Sequence, residues 1–259
     1  RDLPGGVGVA GINWASMILP VRVLGKCGGS FSDIIDGSRW AAGLDLTSIG
    51  VPLNANPARV LNLSLGGGGA CPVSMQTAIN EIVAVGAAFV VAAGNSNADA
   101  ANFTPANCDG VITVAANDRG GDRASYSNFS TTLIEISAPG GETSPTITNG
   151  VLSTLNTGTT APVADAYAYY QGTSMATPHV AGIASLLFSV NPSLTPAQVL
   201  STIQATARPF AAGTTCALNS NCGTGIIDAA LAVASASGYP VPAITTLNPS
   251  TATAGGVAF

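Results

Sequence analysis

Residues 72–95 read PVSMQTAINEIVAVGAAFVVAAGN, and the fold turns on how this stretch divides. Its first half has a helical period: Ile79, Ile82 and Val83 fall on one face, Pro72 stands where a first-turn proline belongs, and Gly86 supplies the stop. Its second half, AAFVVAAG at 87–94, is a short apolar run rich in branched residues, the pattern of a strand buried on both faces. A helix feeding such a strand is part of a β–α–β unit, and a parallel sheet follows if the pattern repeats on either side.

It does repeat. MILPVRVL at 17–24, RVLNLSL at 59–65, VITVAA at 111–116 and LIEISAP at 133–139 are the other predicted strands. Ser32 is expected to cap a helix running through Ile35, Trp40 and Leu44. A helix over 173–190 ends at Asn191-Pro192. Thr195 caps the next, with Pro196 first in it, reaching about Ala207, and a last helix covers roughly 226–236. The expected fold is α/β: three layers, a mainly parallel sheet flanked by helices, with ligands gathering at the carboxyl ends of the strands.

The chain has 259 residues, enough for one large domain with a continuous core. Charged residues are 8% of it, against roughly 25% in ordinary soluble domains, and Lys26 is the sole lysine. With a net charge of -5 there is no basic stripe for phosphates, which argues against nucleic acid and against a polybasic membrane anchor. Apolar runs such as 87–91 fall short of the ~20 residues that span a bilayer. The opening RDLPGG has neither an initiating Met nor the features of a signal peptide, so upstream sequence is expected to have been removed. After Gly238 the texture changes to YPVPAITTLNPSTATAGGVAF, rich in Pro, Thr and Gly. Residues 1–238 are therefore read as the main domain, and 239–259 as a linker entering a truncated second module.

Five cysteines in a weakly charged chain suggest an oxidising compartment. Cys216 and Cys222 bracket the turn-forming ALNSN, and Cys71 and Cys108 each follow a predicted strand and its loop at the same sheet edge. Both pairs are disulfide candidates; five reduced, buried cysteines are the alternative. Cys27 is left as a free thiol or as the partner of an upstream residue. No Cys-x-x-Cys or His cluster suggests a metal site.

In QGTSMATPHVAG (171–182), Ser174 lies where a loop enters a helix, its oxygen near free backbone N–H groups and the positive end of the helix dipole. On spacing alone it is as readily a cap as a nucleophile. The wider sequence tilts that balance. GTSMATPHVAG resembles the nucleophile motif of the subtilisin-like serine peptidases, and ILPVRVLG, NLSLGG, VVAAGN, RASYSNFS and SAPG resemble further family segments, in family order, over residues 12 to about 236. PAITTLNPSTATAGG is similar to the opening strand of immunoglobulin-like IPT/TIG domains.

The resemblance implies a secreted, bacterial serine endopeptidase acting on extended polypeptides, with Ser174 as nucleophile and Asn95 as side-chain donor to the oxyanion. It implies a cleft walled by Ser64, Leu65 and Gly66, floored by Ala93 and Gly94, and closed opposite by Gly28, Gly29 and Ser30. It also implies a cis bond at Thr104-Pro105. The chemistry needs no cofactor; structural calcium near acids such as Asp99 and Asp118 is open, with no ligands assigned.

Two family elements have no counterpart: an aspartate ending the first strand and a histidine in an HGTHVAG-like segment. The expectation is truncation of the strand and of the helix that carry them, leaving a missing N-terminal segment as a required partner. His179 is no substitute, since positions five apart on a helix diverge by roughly 140°. The rival from another class is a peptide-binding pseudopeptidase that keeps the cleft. An α/β-hydrolase would need a histidine well after the serine, and GGGG at 66–69 lacks the lysine of a phosphate loop.

Overall fold

The computed structural model describes residues 9–238; the expected linker and Ig-like start at 239–259 lie outside the described residues. In chain order the elements are α1 (Phe31–Ala41), β1 (Val60–Leu63), β2 (Gly67–Gly68), α2 (Val73–Ala84), β3 (Ala88–Ala92), β4 (Phe103–Thr104), β5 (Ile112–Asn117), β6 (Ile136–Pro139), β7 (Val151–Asn156), β8 (Asp165–Tyr170), α3 (Thr173–Val190), α4 (Pro196–Ala205), α5 (Thr215–Asn219) and α6 (Ala229–Ser237). Four strands form one wholly parallel sheet in the order β1-β3-β5-β6, with Val60 opposite Ala88, Val90 opposite Ile112 and Val114 opposite Ile136.

Alternation along the strands makes three layers. Val90, Val114 and Ile136 face α3, α4 and α6, where Val180, Leu187, Val199 and Ile203 meet them. Leu61, Phe89 and Val91 face the other way, onto Ile34 and Ile35 of α1 and Met75, Ile79 and Ile82 of α2. Every residue of β3 and β5 is buried, as parallel strands covered on both sides must be. Burying one such side chain contributes ~1.5–3 kcal/mol. Along α3 the buried positions 173, 176, 177, 180, 183, 184, 187 and 188 form one stripe of helical period. By length and composition α3 could cross a membrane, but that stripe packs on all four strands of the sheet.

Four predicted strands and the main helices appear where expected, and the differences have local causes. Residues 17–24 form no strand, because among the described residues no neighbouring backbone pairs with them. The cap of α1 is Ser30, two residues before the expected Ser32; its Oγ accepts from Asp33 N at 3.1 Å. Pro72 is the residue before α2 and not the first within it. The last helix starts at Ala229, capped by Asp228, because Ile226 bridges to Arg208 and Ser137. The β7–β8 hairpin was not visible, since both strands lie largely at the surface and lack a buried face. Disulfides join Cys71 to Cys108 and Cys216 to Cys222, and Cys27 is a free, exposed thiol. Thr104-Pro105 is cis, as is Ser144-Pro145.

Candidate active site

The amino end of α3 comes to the carboxyl ends of β1 and β3, and each of the three supplies one part. From α3 comes Ser174, whose Oγ donates to Ser64 O at 3.3 Å. The return contact depends on a sequence detail: Pro178 has no N–H, so the Ser174 carbonyl loses its helical partner, and Ser64 Oγ donates to it instead at 2.9 Å. Asn62 Nδ2 in turn donates to Ser64 Oγ at 3.1 Å. A serine and a strand end 110 residues apart are thus tied by two hydrogen bonds.

Asn95 follows β3. Its Oδ1 accepts from Thr173 N at 2.8 Å and from Thr173 Oγ1 at 2.9 Å, capping a helix whose own cap residue, Gly172, has no side chain. That leaves two donors unused among the described residues, Asn95 Nδ2 and Ser174 N. Both border the same space: a Cβ on Gly172 would stand 3.6 Å from each. With φ at 148°, Gly172 holds a conformation that other residues rarely adopt, and its bare Cα keeps this space open. Two N–H groups converging beside a serine oxygen at a helix mouth are suited to an oxygen that becomes negative.

Around this pair the backbone is clamped by residues to which the sequence had assigned no role. Asn128 is fully buried; its Nδ2 donates to Ala93 O at 2.8 Å, and its Oδ1 accepts from Ser96 N at 2.9 Å and Ala98 N at 3.1 Å. The turn that carries Asn95 is therefore held from both sides. Gly94, at φ 105°, is needed there, since a Cβ would meet Asn128 Nδ2 at 2.3 Å. Tyr126 OH donates to Gly141 O at 2.6 Å and accepts from Gly172 N at 2.9 Å. Burial pushes the Tyr126 hydroxyl well above its ordinary value, so it stays protonated and serves both bonds. The signal for both residues was the segment RASYSNFS, which was matched as a whole without a reason for its parts.

The expected cleft residues divide. Ser64 joins the serine directly, Gly94 N donates to Thr173 Oγ1 at 3.2 Å, and Ala93 is buried beneath the turn. Gly66 lies against Thr104 O, while Leu65 packs onto the α1–α2 side of the core. Gly28, Gly29 and Ser30 form the turn into α1, and their contacts run to Gly25, Val23 and Asp33. His179 Nδ1 donates to Met175 O at 2.8 Å, along its own helix, and is not bonded to Ser174.

A model of the subtilase family matches residues 3–225. The chain belongs to the subtilase family. Among relatives of this subtilase, an extracellular protease of Xanthomonas campestris is 50% identical over 230 residues, which are 88% of this chain and 37% of the relative. An extracellular basic protease of Dichelobacter nodosus is 42% identical over 232 residues, 88% of this chain and 36% of that one. A solved protease structure from Pseudoalteromonas arctica superposes with a TM-score of 0.84 at 49% identity, covering 90% of the subtilase chain and 66% of its own. The chain spans little more than a third of the length of these curated relatives.

Proposed function

We propose that the chain is part of a secreted serine endopeptidase in which Ser174 is the nucleophile and Asn95 Nδ2, with Ser174 N, stabilises the oxyanion. The observation that carries this reading is the convergence of those two free donors on the space beside Gly172, next to the Ser174 hydroxyl. An extended substrate adds along Ser64–Gly66 as a further strand, so main-chain hydrogen bonds set affinity. Relatives named as extracellular proteases, together with two disulfides, support export to an oxidising compartment.

A serine hydroxyl attacks only when a base takes its proton and a third group orients that base. Here the Ser174 proton rests on the Ser64 carbonyl, which cannot accept it as a base does, and the chain's one histidine is turned to Met175. The base and its orienting acid accordingly come from polypeptide outside these 259 residues. Subtilisin, the source of the figure and a member of the family, loses ~10⁶-fold in turnover without its base, keeping roughly 10³- to 10⁴-fold over water. Peptide hydrolysis and labelling by a serine-directed phosphonate test the reading. The isolated chain is expected to turn over almost nothing and to label slowly, and a Ser174→Ala variant not at all. Full turnover by the isolated chain would overturn the assignment of the base.

A further inference from the structure

At the carboxyl ends of β5 and β6 lies a cavity of about 570 Å³, within the ~300–1,000 Å³ usual for ligand sites. Its walls come from three segments whose backbones are already paired. The turn after β5 closes with Gly121 N donating to Asp118 O at 3.2 Å and Asp118 N to Asp122 O at 2.8 Å. Pro139 ends β6. The third segment is anchored at Arg208, which exchanges two backbone hydrogen bonds of 2.8 Å with Ile226. The turn also packs on Ile226, since a Cβ on Gly121 would stand 3.2 Å from Ile226 Cδ1. The cavity is thus formed before anything enters it.

The chain has few cations, and most of its described arginines are engaged elsewhere. Arg39 pairs with Glu81, Arg22 and Arg59 donate to backbone carbonyls, and Arg123 donates to Asn97 Oδ1 and Ser127 O. The guanidinium groups of Arg119 and Arg208 make no hydrogen bond, ion pair or ring contact among the described residues, and both residues line this cavity. Free acceptors line it as well. Asp118 Oδ1 accepts from Asp122 N at 3.0 Å, while Asp118 Oδ2 accepts nothing among the described residues. Asn117 is 4% exposed, and its Oδ1 is buried without a partner. Polar atoms left bare in this way ordinarily find a partner. Pro139, Pro209 and Ile226 complete the lining with apolar surface.

We propose that this cavity binds an acidic segment of a polypeptide, with Arg119 and Arg208 each taking a side-chain carboxylate and main-chain N–H groups of the segment donating to Asp118. Planar guanidiniums with every donor free are matched to carboxylates. A compact inorganic anion such as phosphate meets the arginines but brings no donor for Asp118, whose own charge repels it. A polypeptide supplies partners of both kinds, and apolar side chains for Pro139 and Ile226. The cavity also shares backbone with the candidate active site. Pro139 leads into Gly140, whose O accepts from Gly172 N at 3.1 Å, two residues before Ser174. The ends of β5 and β6 stand one and two strands from that of β3, which leads to Asn95, or roughly 5–10 Å. A polypeptide lying at Ser174 therefore reaches the cavity within a few residues. That the acidic segment belongs to a substrate rests on the peptidase reading; that the cavity binds it does not.

The test titrates the whole chain with short fluorescein-labelled peptides of alternating alanine and glutamate, and with the same peptides carrying glutamine or lysine in place of glutamate. The glutamate peptide is expected to bind, more weakly as salt rises, and to protect the amides of 118–122 and 208–211 from hydrogen exchange. The glutamine and lysine peptides should bind roughly tenfold more weakly or worse. Arg119→Gln and Arg208→Gln should each weaken binding roughly three- to tenfold and together abolish it, with the melting temperature unchanged, because neither guanidinium is bonded within the described fold. Arg22→Gln, outside the cavity, should leave binding as it is. Binding that survives the double substitution, or that leaves those amides unprotected, would refute the site. Millimolar phosphate or glutarate should fail to displace the peptide; displacement by either at equal affinity would make this a small-anion site and overturn the polypeptide assignment. Peptide binding without any phosphonate labelling of Ser174 would uphold the cavity and sink the catalytic reading, and labelling without peptide binding would do the reverse.

Discussion

Asn95 has two ends with two duties, and a substitution can separate them. Its Oδ1 caps α3 through Thr173, while its Nδ2 borders the space beside Ser174 N. Asn95→Asp keeps the acceptor and removes the donor. On the proposed function, once polypeptide supplying the base is added, it is expected to lower kcat by ~10²- to 10³-fold, a magnitude taken over from subtilisin's own side-chain donor, with thermal stability nearly unchanged. Asn95→Ala should lose the same activity and also destabilise the fold by about 1 kcal/mol, because the cap is gone as well. Equal melting temperatures for the two variants would show that the cap carries no weight. At this scale the sequence was informative for Ser174 and Asn95, whose motifs are local. It was silent on Asn128 and Tyr126, because a buried amide and a buried hydroxyl acquire their roles from carbonyls and N–H groups distant along the chain.

At the scale of elements, α3 has to keep its mouth aligned with two strand ends while its body fills one face of the sheet. Pro178 contributes by exchanging a helical hydrogen bond for one across to Ser64. The far end of α3 is held by Arg59, just before β1. Its guanidinium donates to Gly86 O at 3.1 Å, Pro192 O at 3.2 Å and Leu194 O at 3.1 Å, and stacks 4.1 Å from the centre of the Phe188 ring. A lysine has the charge without the planar fork. Arg59→Lys is therefore expected to cost about 1 kcal/mol in chemical unfolding, corresponding to a melting temperature lower by roughly 2–4 °C. An unchanged midpoint would mean that the α3–α4 turn is fixed by its own packing. Helices α2, α3 and α4 were legible from their apolar period and from Pro72, Gly86 and Thr195-Pro196. Residues 17–24 were not, because an alternating apolar segment becomes a strand only when a neighbour offers an edge.

For the whole molecule, two carboxylates should give opposite pH signatures. Burial raises the Asp122 carboxyl, but backbone N–H groups of Thr215, Arg123 and Cys216 outweigh it and hold the group below its ordinary 3.8. Its contribution to stability is present above the unfolded value and is lost as pH falls through the folded one. Burial raises Glu135 above its ordinary 4.5, with Gln204 only partly offsetting it, so its contribution is present below the unfolded value and is lost as pH rises through the folded one. Asp122→Asn should lower the melting temperature at neutral pH by a few degrees, with the deficit vanishing in strong acid. Glu135→Gln should instead match the wild type in acid and exceed it at neutral pH; melting curves across the acid range would expose either sign as wrong. By itself the sequence determined the layered α/β architecture, because period and caps are written in neighbouring residues, and it nominated the two disulfide pairs and, through its family resemblance, the candidate serine and amide. Only the tertiary structure decided that the Ser174 proton rests on Ser64, that His179 turns to its own helix, and that among the described residues β1 pairs on one side alone. Each of these depends on which backbone groups find partners across the fold, and that is a property of chain segments brought together from more than 100 residues apart for the serine pair.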